Sequence, residues 1–304
     1  MSYYLRLVLA CCLWLALFRS ESHAALVVSG YAPDRHDRFN ATDKQNFIGA
    51  PYDWSGVGHA GGPWATLVSP SYFLSAMHYH PAVESIVSFY SDNNAATVPF
   101  NSKVVSGAQI DNSDLWLGRL EQAVPVENYA VAQFASTADF VGRELFTYGL
   151  AGAGYSAPQS MRLGRNEIDG FIDNFSHPNL GASVTDVIVY DYDPSGGVGA
   201  DEAQVVGGDS GAPTFVIVNG QPLLVGIHWF RYDQTNPVGS GSGDSFVPSY
   251  INSINAAMTG ESLTVVAVPE PSSLALVLVA IGGYGMQCAR RKRRRTLRLL
   301  ESVA

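Results

Sequence analysis

Short runs of β-branched, aromatic and leucine residues recur from Val27 to about Ile254, each cut off by Gly, Ser, Asn, Asp or Pro. No helical period is sustained, and no segment repeats at a fixed spacing. This pattern predicts an all-β sandwich or barrel. Val27-Val28-Ser29-Gly30 opens the domain, and residues 31–60 read as polar, Gly-rich loop with weak strands. Two apolar strands flank Ser69-Pro70-Ser71 between Pro63 and His78, which predicts a hairpin ending at His78. Runs 85–90 and 95–105 are further strands, and Asp114 heads the alternating strand Leu115-Trp116-Leu117-Gly118-Arg119-Leu120. Residues 121–140 read as a connection between two halves, followed by a strand over 145–149. Later, Asn219-Gly220 separates the apolar runs 214–218 and 223–227, the strongest short-range hairpin signal. Apolar residues at 250, 251, 254, 257 and 258 have helical spacing and predict a short closing helix.

The two ends differ from this body. A lone Arg6 precedes an apolar run from Leu7 to Phe18, and Ser22-His23-Ala24 offers small residues for cleavage. A spanning helix needs about 20 apolar residues, so residues 1–24 read as a removed signal peptide. At the other end Val268-Pro269-Glu270-Pro271 leads into an apolar stretch from Leu274 to about Met286, then Arg290-Arg291-Lys292-Arg293-Arg294-Arg295. The basic cluster would hold its end on the cytoplasmic side of a membrane. These three parts in order resemble the PEP-CTERM sorting signal, placed at residues 266–304. The resemblance implies export across the inner membrane of a Gram-negative bacterium and handling by a signal peptidase and an exosortase-type enzyme. It further implies at least transient envelope anchoring, then release to the cell surface or extracellular matrix.

Charge sharpens the picture. Between Ala25 and Val265 stand nine Lys and Arg against 24 Asp and Glu, so the folded part is near −15 while the whole chain is −9. An acidic surface argues against nucleic acid as a partner, because phosphate binding needs a basic face. Cys11, Cys12 and Cys288 all lie in the apolar ends. The mature domain therefore has no disulfide or thiolate metal site, and its core alone must stabilise it.

Chemistry concentrates at Gly207-Gly208-Asp209-Ser210-Gly211-Ala212-Pro213. Glycines on either side allow a tight turn in which a serine hydroxyl stands clear and N–H groups converge. Alone, such a turn is also an ordinary link between strands. A serine hydroxyl needs a base, an imidazole near its own pKa serves, and a carboxylate fixes the imidazole tautomer. His78, Asp114 and Ser210 supply these groups, each at a strand end or tight turn, with His80 and Asp111 as neighbouring alternatives.

In these stretches the chain resembles the trypsin-like (chymotrypsin-fold) serine proteases. Leu74-Ser75-Ala76-Met77-His78 is similar to that family's Leu-Thr-Ala-Ala-His. Asn112-Ser113-Asp114-Leu115 resembles its Asn-Asp-Ile-Ala segment, and Gly208-Asp209-Ser210-Gly211-Ala212-Pro213 its Gly-Asp-Ser-Gly-Gly-Pro. Val225-Gly226-Ile227-His228-Trp229 matches loosely, and residues 247–258 match a closing helix. The resemblance implies two packed six-stranded antiparallel barrels, about 27–125 and 135–258 within a domain of residues 25–265, hydrolysing peptide bonds in the cleft between them. His78 would be the base, Asp114 its orienting acid and Ser210 the nucleophile, with the Gly208 and Ser210 N–H groups as the oxyanion hole. Gln204, His228, Trp229 and Phe230 would line the substrate pocket. Gln204 stands where an acid would select Arg or Lys, and Phe230 where a small glycine admits substrate. These changes motivate an alternative, a catalytically silent surface binding or structural protein of the same fold. An esterase is disfavoured, because Gly-x-Ser-x-Gly is absent around Ser210. In this family a new N-terminus often pairs with the acid before the nucleophile, which would join Val27 to Asp209 after loss of Ala25 and Leu26. No cofactor is expected. Asp191, Asp193, Asp201 and Glu202 crowd one Gly-rich loop, where a solvated acidic loop is favoured over calcium binding.

Overall fold

The computed structural model describes residues 25–40, 44–233 and 239–269. The segment read as a signal peptide, and the apolar stretch with its Arg-rich tail, lie outside the described residues. Among the described residues no helix is long and apolar enough to cross a membrane.

The first half carries β1 (Val27–Val28), a single helical turn α1 (Pro33–His36), β2 (Val57–His59), β3 (Trp64–Leu67), β4 (Tyr72–Ala76), β5 (Ile86–Phe89), β6 (Phe100–Gln109) and β7 (Leu115–Leu120). Six of these strands close an antiparallel barrel in the order β2-β3-β4-β7-β6-β5. The Ser69–Tyr72 turn joins β3 to β4 as predicted, with the Ser69 N–H donating to the Tyr72 carbonyl. The second half carries β8 (Val131–Gln133), β9 (Glu144–Gly149), β10 (Arg162–Glu167), β11 (Gly170–Phe175), β12 (Thr185–Asp191), β13 (Ala203–Gln204), β14 (Pro213–Val218), β15 (Gln221–Asp233), β16 (Ser240–Phe246), the predicted closing helix α2 (Ile251–Ala257) and β17 (Val265–Ala267). The fold is thus mostly β, with one closed six-stranded barrel and a short helix near its end, compatible with a trypsin-like fold.

The second half departs from the expected closed barrel. Its strands run β10-β9-β14-β15-β16-β12-β11, with β8 added in parallel beside β15 and β17 in parallel beside β8. β10 and β11 lie at opposite ends of this order, yet only Ile168 and Asp169 separate them. A link that short spans about 10 Å, so the sheet must curl until its edges nearly meet. Backbone pairing does not close the gap. At this seam the Asn166 amide instead donates to the carbonyls of Asp191 and Ala203, both at 2.8 Å.

Alternation along each strand divides side chains between a private core and a shared one. Phe73 and Trp116 fill the barrel interior, whereas Leu74 and Leu117 face the second half. Val216 and Val225 fill the second interior, whereas Phe215 and Ile227 face back. Strands buried on both faces read as continuous apolar runs, which explains Trp64–Leu67 and Phe215–Val218. Trp54 joins the halves, its ring 5.3 Å from Phe215 and 5.4 Å from Tyr148. β17 and the buried Val268 extend the body past the expected boundary at residue 265.

The N-terminal segment is tied down by ions. Arg162 donates to Asp37 at 2.7 Å and to the carbonyls of Leu26 and Ala151. Asp201 receives Arg35, His36 and Arg165 at 2.6 to 3.1 Å. Burial raises the Asp201 carboxyl pKa, but these three donors prevail and bring it down to about 2. The unfolded value is about 3.9, so this contribution is full above pH about 4 and vanishes as pH falls through 2, an effect of about 2 kcal/mol. Asp201→Asn should therefore flatten the acid limb of stability between pH about 4 and 2 in urea titrations; an unchanged acid limb would refute this account.

Candidate active site

Antiparallel pairing of β4 with β7 sets Ala76 opposite Leu115, and the Met77 N–H donates to the Asp114 carbonyl. Asp114 immediately precedes Leu115 and His78 follows Met77, so the end of the ladder brings imidazole and carboxylate together. Asp114 Oδ2 lies 2.8 Å from His78 Nδ1, and Oδ1 accepts the His78 backbone N–H at 3.1 Å. Asp114 is 1 % exposed, and burial pushes its carboxyl pKa up against the lowering effect of His78. On its far side His78 Nε2 lies 2.9 Å from Ser210 Oγ. A carboxylate at Nδ1 calls for a proton there, which leaves the Nε2 lone pair facing the serine hydroxyl. That is the tautomer a general base needs.

The alternatives stand elsewhere. His80 stacks on Trp116 with ring centroids 4.1 Å apart, and its Nδ1 faces the Pro81 carbonyl. Asp111 occupies a left-handed turn position, φ 50°, ahead of the strand.

Ser210 rides on the turn between β13 and β14. The Asp209, Gly211 and Ala212 N–H groups donate to Val206, His228 and Asp209 carbonyls. Among the described residues, the N–H groups of Gly208 and Ser210 donate to no protein acceptor. These are the two donors expected to serve an oxyanion. Gly211 has φ 84°, and a Cβ there would stand 2.7 Å from Ser75 Oγ and 3.2 Å from the Ala76 nitrogen. Glycine is thus what lets the Ser210 turn press against the end of β4, beside His78.

Asp209 is fully buried but does not wait for an ammonium group. Its oxygens accept the Leu150 N–H at 2.7 Å and the Val206 N–H at 2.8 Å, while burial pushes its pKa up to about 7. The pairing of Asp209 with a Val27 amine belongs to a chain trimmed of Ala25 and Leu26; in the untrimmed chain Asp209 and Val27 are held elsewhere. Val27 pairs with Gln204 at the surface, and Leu26, which would have to be removed, is 0 % exposed with its N–H on the Leu150 carbonyl.

A pocket of about 240 Å³ opens beside Ser210, walled by Val205, Val206 and Gly207 on one side and Trp229, Phe230 and Arg231 on the other. Trp229 and Phe230 are thus among the residues that line it. Gln204 does not line this pocket; its amide donates to the Gly241 carbonyl and accepts from Ser240. His228 reaches the wall, but its imidazole turns inward to Asp244 and is 1 % exposed. Phe230 lies across from Gly243 and stacks on Phe175 at 5.0 Å, so it borders the pocket without filling it. A larger cavity of about 640 Å³ adjoins behind Phe230 and Arg231, and no serine, threonine, cysteine or lysine lines it.

Sequence reasoning missed several supporting groups. The Thr185 hydroxyl, from β12 of the second half, accepts the Asp114 backbone N–H at 2.9 Å. The Asp244 carboxylate sits in a Ser/Gly-rich stretch that gave no strand signal. In the acidic loop, Asp201 is held by its cations, Glu202 caps the Val198 N–H, and Asp191 accepts from Tyr232. Among the described residues no group of three or more His, Cys, Asp and Glu converges on a metal position. No protein-family model matches the chain, and no curated protein matches it.

Gly211→Ala tests the close approach of the nucleophile turn. Forcing a Cβ into the left-handed region costs about 1–2 kcal/mol before any steric contact. The variant should unfold at lower urea and lose reactivity at Ser210 together; wild-type values of both would refute the assignment.

Proposed function

We propose that the chain is a trypsin-like serine endopeptidase that cleaves peptide bonds through an acyl-enzyme on Ser210. The observation that carries this reading is the His78 imidazole, 2.8 Å from a buried Asp114 carboxylate and 2.9 Å from the Ser210 hydroxyl. In this mechanism His78 Nε2 takes the Ser210 proton as Oγ attacks the peptide carbonyl carbon. Asp114 stabilises the imidazolium that forms, and the free Gly208 and Ser210 N–H groups receive the carbonyl oxygen as it gains charge, each contributing about 3 kcal/mol. His78 then passes its proton to the departing amine, and water releases the acyl group by the reverse path. The largely apolar walls beside Ser210, which carry no acid, favour an uncharged side chain next to the cleaved bond.

The same reading makes the protein an exported one. Its signal peptide is removed near Ala24, and a PEP-CTERM-like segment hands it to a sorting enzyme at the envelope of a Gram-negative bacterium. Its partners are protein or peptide substrates.

A fluorophosphonate probe tests the nucleophile. Wild-type protein should be labelled at Ser210, and Ser210→Ala and His78→Ala should lose at least about a thousandfold in labelling rate. His80→Ala and Asp111→Ala should label as wild type. Silence of correctly folded wild-type protein would instead support the non-catalytic binding protein.

A further inference from the structure

A second histidine–aspartate pair lies beneath the nucleophile turn, and the reaction described above does not use it. His228 Nδ1 is 2.7 Å from Asp244 Oδ1, and His228 Nε2 is 2.7 Å from the Tyr148 carbonyl and 2.9 Å from Thr147 Oγ1. Asp244 is held in turn by the Thr214 hydroxyl at 2.5 Å and the Tyr190 hydroxyl at 3.1 Å. Asp244 is 0 % exposed and His228 1 %.

Both ring nitrogens of His228 face oxygen acceptors. A carbonyl oxygen can only accept, so Nε2 carries a proton, and a carboxylate oxygen on the other side calls for one at Nδ1 as well. The geometry therefore assigns His228 as an imidazolium paired with the Asp244 carboxylate. The other titratable groups around it, Asp209 in the turn and Tyr190 on β12, do not supply a competing positive charge. Burial works against the charged ring, but the Asp244 charge and hydrogen bond outweigh it and raise the His228 pKa.

The position of this pair relates it to Ser210. The His228 backbone carbonyl accepts the Gly211 N–H at 3.0 Å, and its N–H donates to the Ala212 carbonyl at 2.9 Å. Those two bonds hold the turn just after the nucleophile. Just before it, Asp209 is held by the Leu150 N–H, two residues along from Tyr148. The imidazole spans the gap between these anchors, because it joins β15 to the carbonyl at the end of β9.

We propose that His228 is a positioning residue for Ser210: its imidazolium, held between Asp244 and the Tyr148 carbonyl, braces β15 against β9 and so fixes both ends of the nucleophile turn. The effect on chemistry rests on the serine-protease reading; the effect on the turn does not.

The test uses the full chain and three readouts. Imidazole ¹⁵N NMR of wild-type protein should show His228 protonated at both nitrogens at neutral pH. In Asp244→Asn and His228→Leu, hydrogen exchange of the peptide covering 206–213 should quicken about tenfold while β4 and β7 stay protected. Fluorophosphonate labelling should slow about a hundredfold, as expected when a reacting group is displaced by about 1 Å. His228→Gln should recover part of that loss, since its amide still reaches the Tyr148 carbonyl. A singly protonated His228, or unchanged exchange in Asp244→Asn, overturns the proposal. Should His228→Leu fail to fold, Asp244→Asn and the wild-type spectrum still decide it. Unlabelled wild-type protein would sink the protease reading while leaving the exchange comparison intact.

Discussion

The ladder between β4 and β7 is the constraint on which the rest of the molecule depends. Two antiparallel strands in register place their adjoining ends side by side, and here those ends carry an imidazole and a carboxylate. Once that ladder has formed, little further conformational entropy stands against their meeting. The serine arrives differently. It belongs to a turn of the second half and reaches the histidine only because the two halves share a core around Trp54, Phe215 and Tyr148. Packing in that core therefore controls a distance measured at the surface.

Support for the site also crosses between the halves. Thr185 from β12 holds the backbone of Asp114, and Gly211, the glycine after Ser210, presses on Ser75 at the end of β4. The acid and base of the first half and the alcohol of the second are thus each braced by the opposite half. An inserted charge or cavity in the shared core would disturb all three side chains together.

Much of this was legible in the chain because it follows from local rules. The Ser69–Tyr72 turn, the Asn219-Gly220 hairpin with both residues at positive φ, and the closing helix each carry their signal in a few residues. His78, Asp114 and Ser210 were legible because each stands beside a strand or turn with its own pattern. The illegible parts depend on partners far away in sequence. β16 reads Ser-Gly-Ser-Gly-Asp-Ser-Phe and looks like a loop, yet nearly all of it is buried. Its glycines are strand residues because the rings of Tyr232 and Phe230, on the neighbouring strand, cover Gly241 and Gly243. Gln204 and His228 were placed in the pocket by sequence offset alone. The β1 pairing holds Gln204 elsewhere, and a neighbouring buried carboxylate turns the His228 imidazole inward although the residue still borders the pocket. The curled but unclosed second sheet could not be read either, because its order depends on pairing between strands far apart in the chain.

One feature at the far end of the body sets a limit on trimming. β17 lies parallel to β8, which itself joins the sheet through β15, and Val268 is tucked in with its N–H on the Gln133 carbonyl. Beyond it the Pro269 carbonyl takes a hydrogen bond from Arg143. Severing the chain after Pro269 would leave every strand in place, whereas a cut a few residues earlier would peel a strand away and uncover the flank of β8. The folded body thus marks for itself the earliest point at which its tail can be shed.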